Sequence, residues 1–403
     1  MKKTIIIALL VVAIVASMAI VFAGCDTTAE FNADGDFKIG AIYINSQNDT
    51  SGYTYAHHSA ITKAMEELEI EKSKLVIVDN VAEEYNAVST AVDTLVGSGC
   101  DLIIGISFGY IDAMADKAVE YPNVIFSHAT GYMSNDTNFN NYFGRIYQAR
   151  YLAGVAAGLK SLETGNNKLG YVSAYTTAYA ETASGINAFA MGAQAVNPDA
   201  VVYVEELKSW GNQTQERALA ESLIESGCGI IAQHCDSAQP QIAAQEAGVF
   251  GCGYNSDMTA EAPDAHLTAT VWHWDVYYKA AIEAAMQGPA NFMEKMGKDY
   301  YTGLKEGLVG VSPITENCAP NTQTAIDNVS DLIINGDWDV FSGVKLSIAK
   351  DGSVTMNDAA LVDCKGNVIV EAGGASVDDS VIKGSMNYLV AGVVGEYDPT
   401  TTA

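Results

Sequence analysis

Residues 38–44 read KIGAIYI, and about 130 residues later the chain repeats this pattern as KLGYVSA at residues 168–174. Three further apolar runs recur at nearly the same spacing: LVIV at 75–78 with VVYV at 201–204, SGCDLIIG at 98–105 with SGCGIIAQ at 226–233, and NVIF at 123–126 with GVFG at 248–251. Short β-branched-rich runs at a near-constant offset indicate two copies of one structural unit.

Helix-period stretches lie between these apolar runs, for example at residues 55–69, 85–97 and 213–226. Alternating strands and helices predict a parallel sheet with helices on both faces, once in each copy. Ligands of such sheets bind beyond the carboxyl ends of the strands, so two facing lobes form one cleft. We therefore predict a two-lobed α/β protein in which each lobe is a doubly wound sheet and the ligand lies between the lobes.

The first 24 residues have the features of a targeting segment. Lys2 and Lys3 precede an almost wholly apolar stretch, which ends in Phe22-Ala23-Gly24-Cys25. This ending resembles a bacterial lipobox, so we predict a lipoprotein signal peptide at residues 1–24 and a lipid on Cys25 that holds the protein on the extracytoplasmic face of the cell membrane. Residues 25–36 then form a polar tether. The alternative is an uncleaved helix that spans the bilayer, which takes about 20 apolar residues.

The composition narrows the choice of partners. The formal net charge is −28, which argues against nucleic acid, polyphosphates or anionic lipid as ligands. Six cysteines follow Cys25, an even number that would allow disulfides outside the cytoplasm. Cys100 and Cys228, however, hold the same position in the two copies, just before buried strands, where a small apolar residue suffices. We favour buried free thiols at these positions.

The chain is expected to cross between the lobes more than once. Helical patterns at residues 144–162 and 272–288 each follow a short β run, which is the natural place for a crossing. Hairpin signals at KDGS and CKGN indicate a β-rich tail. The predicted division is lobe 1 at 37–146 plus 273–311, lobe 2 at 147–272 plus 312–345, and a C-terminal β extension on lobe 2 at 346–403.

Aromatic and polar residues are concentrated after the predicted strands. Flat aromatic faces beside amides and carboxylates suit a flat, neutral, hydrogen-bonding ligand. The segments concerned are NSQNDTSGYTYAHHS at 45–59, SFGYID at 107–112, YTTAYAETASGIN at 175–187, SWGNQ at 209–213, QHCDS at 233–237, YNSDM at 254–258 and TVWHWD at 270–275.

Several of these segments, in order, resemble the basic-membrane-protein family of ABC-transporter substrate-binding lipoproteins, whose members bind nucleosides and purines. The resemblance implies a type I periplasmic-binding-protein fold, a purine or nucleoside ligand, ABC permease and ATPase partners, and no catalytic activity, cofactor or metal; we expect a monomer. The motifs that carry it are KIGAIYI, GYTYAHHSAI, DLIIGISFGYIDAM, FSHATGY, YFGRIYQARYLAG, GINAFAMGAQAVNPDA, IIAQHCDSAQP, GYNSDM, HLTATVWHW and GDWDVFSG.

The resemblance also suggests ligand-binding positions. Tyr53 stands where the family has an aromatic residue that stacks on the base, although Tyr53 could instead cover the core. Trp274 is expected in the core or between the lobes, and Arg145 and Arg150 are expected to hold the crossing. The other positions at or beside the family pocket are Phe108, Trp210, His234, Asn255, Asp257 and Trp272.

Two of these positions depart from the family pattern. Nucleoside-binding members tend to carry an aspartate where this chain has Asn255, and a lysine where it has Trp272. A carboxylate accepts hydrogen bonds from both ribose hydroxyls, whereas Asn255 offers one neutral acceptor. We therefore predict that a free purine base binds at least as tightly as its nucleoside, although Asp257 could still bind the ribose.

Other functions have weaker support in the sequence. The run from His234 to Asp236 could be read as a metal site, but no second histidine pairs with it. Paired-carboxylate hydrolysis could use Asp49 and Asp257, yet nothing indicates the spacing that it requires. We expect His57 and His58 to be solvated or to cap a helix. The alternatives kept open are a binding protein for a sugar or another small metabolite, a ligand sensor on the same fold, and an enzyme built on two doubly wound domains.

Overall fold

The computed structural model describes residues 36–396. The predicted signal peptide, Cys25 and the tether up to residue 35 lie outside the described residues. No helix within residues 36–396 combines the length and the hydropathy that a bilayer crossing requires.

The described chain alternates strands and helices as the repeat predicts. The strands are β1 (Ile39–Ile42), β2 (Leu75–Val78), β3 (Leu102–Gly105), β4 (Ile125–Ala129), β5 (Phe139–Gly144), β6 (Lys168–Ser173), β7 (Val201–Glu206), β8 (Ile230–His234), β9 (Phe250–Asn255), β10 (His266–Trp272), β11 (Asp299–Thr302), β12 (Val309–Val311), β13 (Val344–Ile348), β14 (Val354–Asp358), β15 (Leu361–Val362), β16 (Val368–Val370) and β17 (Val393–Val394). The α-helices are α1 (Gly52–Glu67), α2 (Tyr85–Gly97), α3 (Ile111–Glu120), α4 (Ile146–Thr164), α5 (Ala180–Val196), α6 (Gln213–Glu225), α7 (Gln239–Glu246), α8 (Trp274–Ala285), α9 (Pro289–Met296), α10 (Thr322–Asn335) and α11 (Asp379–Gly384).

The two copies form two sheets of the same topology. The first sheet has the order β11-β5-β4-β3-β1-β2, and the second has β12-β10-β9-β8-β6-β7-β17. β1 pairs in parallel with β2 and β3, as β6 pairs with β7 and β8. Only β12, at one edge of the second sheet, pairs antiparallel to its neighbour. The predicted two-lobed α/β fold, with one doubly wound sheet in each lobe, is confirmed.

Both faces of each sheet are buried, which is why the strands read as nearly continuous apolar runs. In β1, Ile39 and Ala41 belong to a core cluster with α1 and α8, whereas Ile42 faces a second cluster with α2 and α3. The second sheet is likewise buried between α4 and α5 on one face and α6 and α7 on the other.

The chain passes between the lobes at three places. α4 begins directly after β5 of the first sheet, yet it packs on α5 of the second lobe. α8 begins after β10 of the second sheet, yet it packs on α1 of the first lobe. The third passage lies between β11 and β12. Because Val309–Val311 pair with β10, the return to the second lobe comes three residues earlier than the predicted residue 312.

The C-terminal segment contacts both lobes. Its two hairpins are β13–β14 and β15–β16, and β17 adds a parallel edge strand to the second sheet. Ile382 of α11 belongs to the core of the second lobe. On the same helix, Asp379 accepts a hydrogen bond of 3.0 Å from Arg145 Nε, and Lys383 pairs with Asp299 of β11. The predicted extension on lobe 2 therefore also reaches the first lobe.

Cys100 and Cys228 occupy equivalent positions, as their repeat predicts. Cys100 N–H donates to Leu95 O at 3.1 Å, and Cys228 N–H donates to Leu223 O at the same distance. Both side chains are buried thiols without a disulfide, and burial raises the pKa of each to about 11. The two cysteines fill core space before β3 and β8, which confirms the expectation for this pair.

Candidate ligand-binding cleft

The predicted site residues lie at or just beyond the carboxyl ends of parallel strands. Tyr53 lies in the first turn of α1, which follows β1, and Phe108 lies in a 3-10 turn after β3. Trp210 follows β7. The remaining positions are the last residues of β8, β9 and β10, namely His234, Asn255 and Trp272, and the nearby Asp257.

An aromatic cluster joins the two lobes. The ring of Phe108, from the first lobe, lies edge-on to Tyr179 of the second lobe, with 5.6 Å between ring centroids. Tyr179 in turn contacts Trp210 at 5.1 Å, and Tyr175 contacts the same indole at 5.2 Å. Phe108 and Trp210 are both only partly buried. Aromatic faces from both lobes thus meet where the sequence predicted a cleft.

The lobes also touch at the start of α1. Gly52 N–H donates to Ser256 Oγ at 3.1 Å. Gly52 has a φ of +83°, and a Cβ added to it would lie 2.0 Å from the carbonyl oxygen of Asp236, so only glycine fits in this closed arrangement. Tyr53 follows directly and lies at this junction. Burial, and then the nearby Tyr142 and Asp236, raise the pKa of its phenol.

Asp236 and Asn255 form a hydrogen-bonded pair beside this contact. Asn255 is 1% exposed and adopts a left-handed conformation, with a φ of +68°. Its Nδ2 donates to Asp236 Oδ1 at 3.3 Å, and its Oδ1 has no hydrogen-bond partner among the described residues. Burial, and then the Glu216 carboxylate, raise the pKa of Asp236 well above its usual value. The sequence signal for Asp236 was its place in the QHCDS run directly after β8.

His234 belongs to a buried polar group under the cleft. Its Nε2 lies 2.7 Å from Glu181 Oε1, and burial followed by the Arg150 charge lowers its pKa. The Arg150 guanidinium lies 3.8 Å from the centre of the Tyr254 ring, and its Nη1 donates to Gln233 O at 2.5 Å. Within residues 36–396, Arg150 Nε and Nη2 have no hydrogen-bond partner.

Arg150 and Glu181 differ from the sequence predictions, whereas Arg145 does not. Arg145 does hold the crossing, through Asp379 of α11. Arg150 instead lies beneath the site, because α4 carries it from the crossing into the second lobe. Glu181, in the first turn of α5, was not singled out from the sequence; it lay in the YTTAYAETASGIN segment after β6.

Asp257 and Trp272 do not join the cleft cluster. Asp257 is exposed, and its Oδ1 accepts hydrogen bonds from the N–H and the hydroxyl of Thr259. Also close to it is His266, whose Nε2 lies 3.7 Å from Asp257 Oδ1. Asp257 and Trp272 line a separate cavity of about 290 Å³ on the flank of α1, together with Asn255, Tyr55, Lys63 and Pro313.

The prediction for His57 was wrong. His57 is fully buried; its Nδ1 lies 2.6 Å from Tyr278 Oη, and its ring stacks on Trp274 at 4.6 Å. Trp274 stacks in turn on Trp272 at 4.2 Å. This stack joins α1 to the crossing between β10 and α8, and the ring of Tyr53 lies 4.6 Å from that of His57. His58 is partly buried, with its Nδ1 3.1 Å from Tyr43 Oη.

The described residues contain no group of three or more His, Cys, Asp or Glu side chains placed to hold a metal ion. The arrangement consists of aromatic faces, amides and carboxyl groups on two facing lobes. Such a surface can hold a small ligand by stacking and by hydrogen bonds to its edge.

Comparison with known proteins agrees with this arrangement. Residues 37–340 match the Bmp family, described as ABC transporter substrate-binding protein, PnrA-like. A purine-binding protein of Brucella abortus is 34% identical over 363 residues, covering 90% of this chain and 94% of the relative. A Haloferax volcanii protein that bears the name of a putative ABC transporter glucose-binding protein is 33% identical, covering 75% of this chain and 73% of the relative.

The fold has solved counterparts. An ABC transporter solute-binding protein from Aeropyrum pernix superimposes with a TM-score of 0.61 at 15% identity, covering 77% of this chain and 93% of that structure. Its similarity supports the two-lobed solute-binding fold alone. The match over residues 37–340 covers most of the chain and belongs to a family of solute-binding proteins rather than enzymes. The chain is therefore a member of the Bmp family of ABC transporter substrate-binding proteins.

Proposed function

We propose that this protein is a lipid-anchored extracytoplasmic receptor that closes its two lobes around a purine and delivers it to an ABC importer. The observation that carries the proposal is the contact between aromatic rings of the two lobes: Phe108 contacts Tyr179, which in turn contacts Trp210. The polar pair Asp236 and Asn255 belongs to the same junction. The similarity to a purine-binding protein over nearly the whole chain supports the ligand class. Hinge closure follows when a ligand on one lobe gains contacts with the other.

A sugar is the second candidate. Aromatic rings and carboxyl groups also suit a hexose, and the Haloferax relative bears a glucose-binding name. The two candidate ligands would contact the aromatic rings differently. A purine has two flat faces for stacking, and aromatic rings from both lobes, Phe108 and Tyr179, lie together at the cleft.

A free base is expected to bind at least as tightly as its nucleoside. Asn255 Nδ2 is already engaged with Asp236, and Trp272 is held in the stack with Trp274, so neither replaces an aspartate–lysine pair that would grip a ribose. Calorimetric titration of adenine against adenosine, and of guanine against guanosine, measures the difference. Nucleosides that bind about tenfold tighter, or about 1.4 kcal/mol, would contradict this assignment.

Tyr53→Ala is expected to cost about 1–3 kcal/mol of purine binding, the usual contribution of one base–aromatic stack. Tyr53→Phe should bind nearly as well as the wild type, since the ring face makes the contact. Tyr85→Ala serves as the control, because Tyr85 is an exposed tyrosine of the same lobe. Calorimetry that finds the same affinity for Tyr53→Ala and the wild type would remove Tyr53 from the site.

The lipid anchor is tested separately from the ligand. Cys25→Ser should release the protein from the membrane fraction without changing its affinity for the ligand. Wild-type protein that is found free in the medium with residue 1 intact would refute the anchor.

A further inference from the structure

Asp236 is a carboxyl group that lies at the junction of the two lobes. Its backbone carbonyl abuts Gly52 of the first lobe, and its Oδ1 accepts the hydrogen bond from Asn255 Nδ2. Within residues 36–396, no lysine, arginine or histidine nitrogen forms an ion pair with it; the nearby His234 pairs with Glu181 instead.

The charges of three other carboxyl groups act on Asp236. Glu216 and Glu181 come from the second lobe and Glu83 from the first, and all three act with burial to raise the pKa of Asp236. Because Glu83 and Gly52 belong to the first lobe, part of this environment exists only when the lobes meet. Bringing a negative charge into such surroundings is costly unless a hydrogen-bond donor satisfies it.

The side chain of Asn255, next to Asp236, has no donor for its amide oxygen within residues 36–396. Its Oδ1 is a second acceptor that lacks a partner among the described residues, on a side chain only 1% exposed. A buried acceptor without a partner costs about 1–3 kcal/mol. Asp236 and Asn255 therefore present adjacent acceptors, which a ligand with N–H donors would satisfy.

We propose that Asp236 is a specificity-determining residue that makes lobe closure favourable for purines carrying an exocyclic amino group. The amino N–H groups donate to the Asp236 carboxyl and the Asn255 amide oxygen as the lobes close. A purine without an exocyclic amino group has only its ring N–H to donate, so at least one of the two acceptors stays unsatisfied in the closed form. This inference rests on the proposed purine-binding function. It adds which purines are preferred and which group opposes closure in the absence of ligand.

Asp236→Asn tests the proposal, with Asp257→Asn as the matched control, since Asp257 is an exposed carboxylate outside the cleft. The first measurement is the calorimetric affinity of adenine relative to unsubstituted purine, which lacks the exocyclic amine. The wild type and Asp257→Asn are expected to prefer adenine by about tenfold or more, and Asp236→Asn by about threefold or less. A ratio that Asp236→Asn leaves unchanged, or a loss confined to nucleosides, would overturn the proposal.

The second measurement does not depend on the ligand class. Small-angle scattering of the ligand-free proteins should show Asp236→Asn shifted towards the smaller radius of gyration of the closed form, because the amide removes the charge that opposes closure. Asp257→Asn should match the wild type. If purines fail to bind the wild type, the proposed function is wrong, and the scattering result alone decides whether Asp236 opposes closure; equal radii for Asp236→Asn and the wild type would reject that role.

Discussion

Gly52→Ala is expected to weaken ligand binding by about 100-fold, or about 3 kcal/mol, and to lower the unfolding temperature only by what the positive φ costs. The added Cβ would lie 2.0 Å from Asp236 O, and the residue must keep a φ of +83°, a conformation that costs a residue with a side chain of order 1–3 kcal/mol. Asp236 belongs to the opposite lobe, so the clash exists only in the closed form. The open form keeps its fold and loses the ability to close.

Gly97→Ala is the matched control for Gly52→Ala. Gly97 is the last residue of α2 in the same lobe, and no other atom lies within 4 Å of its added Cβ. Calorimetry should give the wild-type affinity for Gly97→Ala, and thermal unfolding should place the midpoint of Gly52→Ala slightly lower because of its positive φ. Wild-type affinity in Gly52→Ala would mean that the ligand is held without this contact between the lobes.

Gly192→Ala is expected to destabilise the second lobe by about 3 kcal/mol, at the upper end of the cost of overpacking. Helices α4 and α5 approach closely through glycines: a Cβ on Gly192 would lie 2.1 Å from Tyr151 O, and one on Gly154 would lie 2.1 Å from Phe189 O. Backbone atoms cannot rotate away as a side chain can, so the helices must separate and lose packing along their whole contact.

Urea denaturation measures this effect. Gly384→Ala is the control, because Gly384 lies in helix α11 of the same lobe with no other atom within 4 Å of an added Cβ. Its midpoint should match the wild type. A Gly192→Ala midpoint equal to that of the wild type would show that α4 and α5 have room for a larger residue.

The fold could be predicted because the repeat carries it. Each apolar run that recurred became a strand, and the SGC motif placed Cys100 and Cys228 in the same turn with the same 3.1 Å hydrogen bond. Residues at strand ends were also predictable as cleft candidates, since parallel strands end at one edge of a sheet. Tyr53, Phe108 and Trp210 became candidates in this way.

The sequence could not predict which residues of the opposite lobe each strand end contacts. His57 looked polar and solvated, yet it is buried because the crossing at residue 273 brings Trp274 onto its ring. Asp257 looked as favourable as Asn255, yet it is exposed and bonded to Thr259, whereas Asn255 is buried beside Asp236. Asp236 becomes a candidate site residue only in the structure, where Gly52 of the other lobe packs against its carbonyl oxygen. These contacts join residues far apart in the chain.

The most direct test of a purine between the lobes is the identity of the molecule that the protein carries. The full-length protein is purified without added ligand from a host that contains both purines and hexoses, then denatured, and the released small molecules are identified by mass spectrometry against a Gly52→Ala sample. We predict a purine in about stoichiometric amount from the wild type and little from the variant. A hexose released from the wild type, with no purine, would contradict the account.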